Sequence, residues 1–242
     1  MGVVLIWGIV AIVALLASAL AAVAGFGGAV VLLPVLVWAF GVRDAVPILT
    51  VIQLVGNGSR VGFNRRQIVW PVAGWFALGA VPLAAVGGLI FAVAPAPLLT
   101  RVLGAFLLVT VAYRHTPRGR SMRISLRGFA GLGAVAGFLS ALVGTVGPLA
   151  APFFLAYGLV KGAYIGTEAL TALTMHAVKL SVYGGAALLT LRSVGAGLAL
   201  GLVMVAGTFT GKRLLDRIPE RVFPRVVEAV LVVSGLQLLF LG

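Results

Sequence analysis

The amino-acid sequence predicts an all-α membrane protein made of two inverted repeats of about five hydrophobic segments each, with glycine-rich broken or re-entrant helices. Three observations carry this reading. Of the 242 residues, 62% are hydrophobic and only 10% charged, with a mean hydropathy of +1.19; a soluble domain of this length needs far more polar surface. Apolar runs recur along the whole chain, which excludes a soluble domain with one anchor. The two halves also resemble each other in order.

The apolar segments cover roughly 3–24, 26–40, 44–63, 69–92, 97–113, 128–143, 146–158, 163–189, 193–211 and 222–241. The first has no basic residues ahead of it and is too long for a signal core, so it reads as a retained helix. The second and seventh fall short of the roughly 20 residues a spanning helix needs, and glycines cluster at the start of both. They read as tilted helices or as half-helices that turn back. The stretch Arg114–Arg127, "RHTPRGRSMRISLR", separates a first repeat (1–113) from a second (128–242).

Charge gives the orientation. If every segment changes sides, the odd-numbered gaps hold Arg65, Arg66, Arg114, Arg118, Arg120, Arg123, Arg127, Lys161, Lys212, Arg213, Arg217, Arg221 and Arg225 in or beside them. The even-numbered gaps hold Arg43, Arg101 and Arg192. This positive-inside bias places both termini outside and makes 114–127 a cytoplasmic loop. The formal charge of +13 is therefore that of membrane loops, and no nucleic-acid partner is expected. Cysteine is absent, which removes disulfides, thiol catalysis and thiolate metal sites.

The repeat shows in three places. "GFGGAVVLLP" (Gly25–Pro34) matches "GTVGPLAAP" (Gly144–Pro152) when one residue is dropped. "FGVRDAVPILT" (Phe40–Thr50) matches "YGLVKGAYIGT" (Tyr157–Thr167). "PAPLLTRVLGAFLLV" (Pro95–Val109) matches "PERVFPRVVEAVLVV" (Pro219–Val233), with Arg101 on Arg225. Three matches in one order indicate a duplicated unit. An odd number of segments per unit turns the second copy upside down, the arrangement of secondary transporters.

Broken backbone at membrane depth is tolerated only inside protein or beside a wet cavity. Gly25, Gly27 and Gly28 permit a sharp turn, and Pro34 leaves a carbonyl without its helical partner. Gly144, Thr145, Gly147, Pro148 and Pro152 stand at the matching place. Paired interruptions point to a transporter's binding site, and a helix restarting after one aims N–H groups at an anion. Close helix packing is the competing explanation for any single glycine.

"GFGGAVVLLPVL" (Gly25–Leu36) followed by "DAVPILT" (Asp44–Thr50) resembles the sulfite exporter TauE/SafE family, and the likeness extends over essentially the whole chain. The resemblance implies an inner-membrane transporter of sulfite, sulfonates or related sulfur-containing organic anions. The second copy departs from the usual pattern, since "GTVGPLAAP" has no adjacent glycine pair.

Polar residues inside the third and eighth segments are the remaining candidates, because ionisable groups at membrane depth usually mark function. Gln53, Asn57 and Arg60 share one helical face, although Arg60 lies near a basic end and snorkelling also explains it. The eighth segment carries Glu168, Thr171, Thr174, His176, Lys179 and Tyr183. Lys179 is deep in its apolar run and needs a partner. Glu168, eleven residues away on the same helix, is about 16 Å off by helical rise. A bound anion would serve. His176 could carry a proton or be a neutral core residue. For Glu168, a proton site, a salt-bridge partner and a surface residue all fit.

The substrate-binding set is therefore Gly25, Gly27, Gly28, Gln53, Asn57, Arg60, Gly144, Thr145, Gly147, Thr171, Thr174, His176, Lys179 and Tyr183, with no catalytic residue, metal or cofactor. The expected partners are a small anion and membrane lipid; a coupling proton or Na+ and a homodimer are compatible with the sequence. With no G-x-x-x-x-G-K loop, the energy source is an ion gradient or the anion's own. An anion channel is not separated from a carrier. A membrane-embedded lipid or phosphate-ester enzyme is the other alternative, disfavoured by the chain's five acidic residues and the lack of a G-x-S-x-G elbow.

Overall fold

The structure, a computed structural model, describes residues 2–26, 28–95, 98, 123–217, 219, 221, 222 and 225. Gly27, most of the 97–113 and 222–241 segments and most of the basic loop lie outside the described residues, as does the side chain of Arg101. Eight α-helices are described: α1 (Val3–Ala24), α2 (Gly28–Phe40), α3 (Val42–Asn64), α4 (Trp70–Val93), α5 (Gly128–Val143), α6 (Gly147–Ala156), α7 (Lys161–Gly185) and α8 (Leu191–Arg217). A short 3₁₀ turn, Arg65–Gln67, joins α3 to α4. No strand occurs among the described residues.

Three of these helices, α1, α4 and α8, are long and apolar enough to cross a membrane. Their exposed side chains include Ile12, Leu16, Leu78, Leu89 and Leu202, surface that suits lipid and not water. The helices α3 and α7, with 23 and 25 residues, are as long but carry polar side chains. Those polar groups point inward: Gln53, Asn57, Arg60, Glu168, Thr171, His176 and Lys179 are all buried. At 13 and 10 residues, α2 and α6 are half-helices.

Both half-helices double back. The α1 helix ends at Gly25, whose φ of 84° is left-handed and favours glycine. The chain returns along α2, so that Phe40 comes 5.3 Å from Trp7 between ring centroids. Likewise α5 ends at Gly144, φ 85°. The return along α6 brings Phe154 within 5.2 Å, and Tyr157 within 5.3 Å, of Phe129. Pro34 is accommodated inside α2 without ending it.

Packing interleaves the two halves of the sequence. The most extensive contact joins α4 to α5, and the next joins α1 to α8. Thus the first helix of each half packs on the fourth helix of the other. The third helices, α3 and α7, pack against each other, and each also packs on the other half's fourth helix. They run antiparallel: Asn64, at the end of α3, crowds Gly166, near the start of α7. Glycines set the distance between α4 and α5. A Cβ on Gly79, Gly133 or Gly137 would run into the backbone of Ala130, Phe76 or Ala80. Small residues at such spacing let membrane helices approach until dispersion contacts hold them.

Candidate functional site

The tips of the two hairpins meet in the middle of the molecule, where a Cβ on Gly147 would collide with Cβ of Phe26. Beside this contact lies a cavity of about 30 Å³, room for about two water molecules. The hairpin turns supply Gly25, Phe26, Gly28, Thr145 and Gly147 to its wall; α3 supplies Gln53, Asn57 and Arg60; α7 supplies Glu168, Thr171, Met175 and His176. Sequence reasoning placed most of these together. Of its other candidates, Gly144 forms the turn but does not line the cavity, and Gly27 lies outside the described residues.

Arg60 organises the site. Its side chain is buried and does not snorkel. Nη1 donates to the carbonyls of Gly25 at 2.6 Å and Ala21 at 3.3 Å, and to Oε2 of Glu168 at 3.0 Å. Nη2 donates to Oδ1 of Asn57. The two carbonyls lie at the C-terminal end of α1, where the helix dipole is negative; the Ala21 carbonyl also accepts the Gly25 N–H at 2.8 Å. A guanidinium is matched to that place, since its fork of donors satisfies several acceptors at once. Asn64 holds the helix behind it, donating from Nδ2 to the Arg60 carbonyl at 2.8 Å.

The second half repeats the device. Lys179 is completely buried, and its Nζ donates to the Ser140 carbonyl and Oγ, both at 3.1 Å, and to the Gly144 carbonyl at 3.4 Å. These acceptors close the last turn of α5. Ala21, Gly25, Asn57 and Arg60, each shifted by 119 positions, become Ser140, Gly144, His176 and Lys179. The two cations therefore hold equivalent carbonyls at equivalent helix ends.

The halves differ in what surrounds each cation. Arg60 faces the cavity and Glu168, whereas Lys179 lies behind the wall and does not line the cavity. Tyr183 sits behind the wall too, donating from its hydroxyl to the Ala141 carbonyl at 2.7 Å. Thr174 is half-buried, away from the cavity, and donates to the Leu170 carbonyl at 2.9 Å. Lys179 and Tyr183 thus support the α5 end, and the structure does not bring Thr174 to the site. Thr171 lines the wall, but its hydroxyl is turned to the Glu168 carbonyl at 2.8 Å.

Two features were not selected from sequence. Glu168 is the partner of Arg60, and among the described residues it is the one buried carboxylate. Its signal was present, as the one acid in the apolar run 163–189, but spacing along one helix does not reveal a partner on another. Ser140, the single hydroxyl of α5, receives Lys179.

The negative C-terminal ends of α1 and α5 are met by Arg60 and Lys179, and Glu168 in turn offsets the charge of Arg60. The N-terminal ends of α2 and α6 open on the cavity, with first-turn N–H groups ahead of the helices' own hydrogen bonds. His176 is buried on the wall, and its Nδ1 has no hydrogen-bond partner among the described residues. No group of three or more His, Asp or Glu side chains suited to a metal ion is found among the described residues.

Among models of protein families, one described as "Sulfite exporter TauE/SafE" matches residues 10–238. No curated protein and no solved structure matches the chain.

Proposed function

The chain belongs to the sulfite exporter TauE/SafE family, a family of membrane transporters, and from that premise we propose that it carries sulfite, sulfonates or related sulfur-containing anions by alternating access through the cavity beside Arg60. The observation that carries this reading is the buried guanidinium set between the N-terminal ends of two half-helices. An oxyanion there would take N–H groups from the turns, one edge of the Arg60 fork, and polar contacts from Gln53, Asn57 and His176. Charge-assisted hydrogen bonds of this kind are about twice as strong as neutral ones.

The size of the cavity supports a moving part. A sulfur oxyanion is larger than two water molecules, so the tips at Phe26 and Gly147 must separate to admit it. Two hairpins that meet tip to tip, with α3 and α7 antiparallel and each half's first helix held by the other half's fourth, suit a pair of upside-down copies. Parting the tips on one side and then the other would expose the anion to each face in turn. On this reading the membrane is the bacterial-type inner membrane with both termini outside.

The test is exchange of radiolabelled sulfite in liposomes containing the purified protein. Wild-type protein exchanges sulfite with saturable kinetics, and Arg60→Ala lowers the rate at least tenfold. Equal rates in the two proteins would remove Arg60 from the site. Flux that does not saturate would make the protein a channel.

A further inference from the structure

We propose that Glu168 is the proton-binding residue of the transport cycle: its carboxylate and the substrate anion compete for Arg60, so an anion occupies the cavity when Glu168 has taken up a proton. The inference rests on the transport reading above and deepens it by naming the coupling ion and the residue that carries it.

Geometry gives the first argument. Glu168 holds Arg60 through a single oxygen, Oε2 to Nη1 at 3.0 Å. Both residues line the cavity, so an anion entering it meets the same guanidinium edge that the carboxylate now occupies. Nη1, the nitrogen that holds Glu168, also donates to the carbonyls of Ala21 and Gly25, and Nη2 donates to Asn57.

Charge gives the second. An arginine in a protein keeps its proton, and an unbalanced ion in a buried site costs several kcal/mol. With Glu168 ionised, Arg60 is balanced and an added anion would lie beside a carboxylate of the same sign. With Glu168 protonated, the pair carries one positive charge, and one anionic charge restores neutrality. Proton and anion thus enter together and leave together, one proton for each anion. The remaining titratable groups near this pair are Tyr164 and His176, on α7 itself, with Lys179 behind the wall beside His176. The residues that α1, α2, α4, α5, α6 and the hairpin turns place on the wall bring no titratable side chain.

The third argument is the departure from internal symmetry. Glu168, shifted back by 119 positions, falls on Leu49, a fully buried core residue. The Lys179 device is complete with an aliphatic side chain in that place, and Lys179 itself does not line the cavity. The carboxylate is found only where the cation faces the cavity.

The experiment uses proteoliposomes holding wild-type protein, Glu168→Gln or Glu168→Asp. The probes are sulfite and methanesulfonate, the latter carrying one negative charge at every working pH. Exchange at equal pH on both sides is measured first, then accumulation under an imposed pH gradient, with an internal pH dye and protein-free vesicles as controls. Wild type and Glu168→Asp accumulate methanesulfonate up to about tenfold per pH unit, the limit for one proton per anion, and entry of the anion acidifies the lumen. Glu168→Gln loses accumulation, and its exchange no longer responds to pH. If the glutamine variant fails to fold, the wild-type lumen trace decides alone, since anion entry without acidification overturns the proposal. Where the wild type takes only sulfite, which brings a proton of its own as hydrogensulfite, accumulation under the pH gradient is compared between wild type and Glu168→Gln, and equal accumulation overturns the proposal. Accumulation that ignores the pH gradient, or a glutamine variant that still accumulates, overturns the proton role while leaving transport standing. A wild type that exchanges neither probe overturns both.

Discussion

Arg60 and Glu168 form a buried pair in which each partner answers the other's charge. Removing one partner of such a pair costs about 3–5 kcal/mol, because an uncompensated ion remains behind. Arg60→Ala is therefore expected to lower the thermal stability of the detergent-solubilised protein sharply. Arg60→Ala combined with Glu168→Gln should be less damaging than the arginine change alone, since the stranded carboxylate is gone. Additive losses in that double-mutant cycle would mean the two side chains do not interact energetically. Gly25→Ala should destabilise for another reason: its φ of 84° is costly for alanine, and the Tyr164 ring occupies the space a Cβ needs. A few kcal/mol is expected, read as a lower unfolding midpoint, with Gly58→Ala in open space as the control. The sequence announced Arg60 and Lys179 as unusual because each is a cation in an apolar run. It did not announce their acceptors, which are main-chain carbonyls of another helix and leave no mark on side-chain chemistry.

Helices were more legible than partners. Apolar length located α1, α4 and α5 to within a residue or so, and the glycines at 25 and 144 placed the breaks, because a left-handed turn demands that residue. The polar spacing of Gln53, Asn57 and Arg60 identified the inward face of α3. What could not be read was which helix lies against which. The α4–α5 seam depends on Gly79, Gly133 and Gly137 meeting the backbone of the opposite helix, and thirty-three glycines in the chain offer many such seams. Gly133→Leu is expected to force α4 and α5 apart, since the carbonyl of Phe76 stands where the new Cβ would go. Loss of folded protein in size-exclusion chromatography would report it. Gly131→Leu, facing open space on the same helix, should be tolerated.

On the proposed transport cycle, movement centres on one place, the contact of Phe26 with Gly147. The chain has no cysteine, so a disulfide introduced there stands alone. Phe26→Cys with Gly147→Cys should lose sulfite exchange when oxidised and regain it with reductant; oxidised protein that still exchanges would place the moving part elsewhere. Short matched motifs led the sequence to be read as a duplicated unit, but they gave no sign of the interleaving, because motif order says nothing of which helices touch. That interleaving bears on how the protein is made. The α1 helix packs on α8, which begins 167 residues after α1 ends. At usual translation speeds α1 waits roughly ten to thirty seconds for its partner to leave the ribosome. Throughout that interval Ser18 and the small residues around it, which later receive Gly207 and Gly211, face lipid or the insertion machinery, and a nascent chain halted before α8 is a target for membrane proteases.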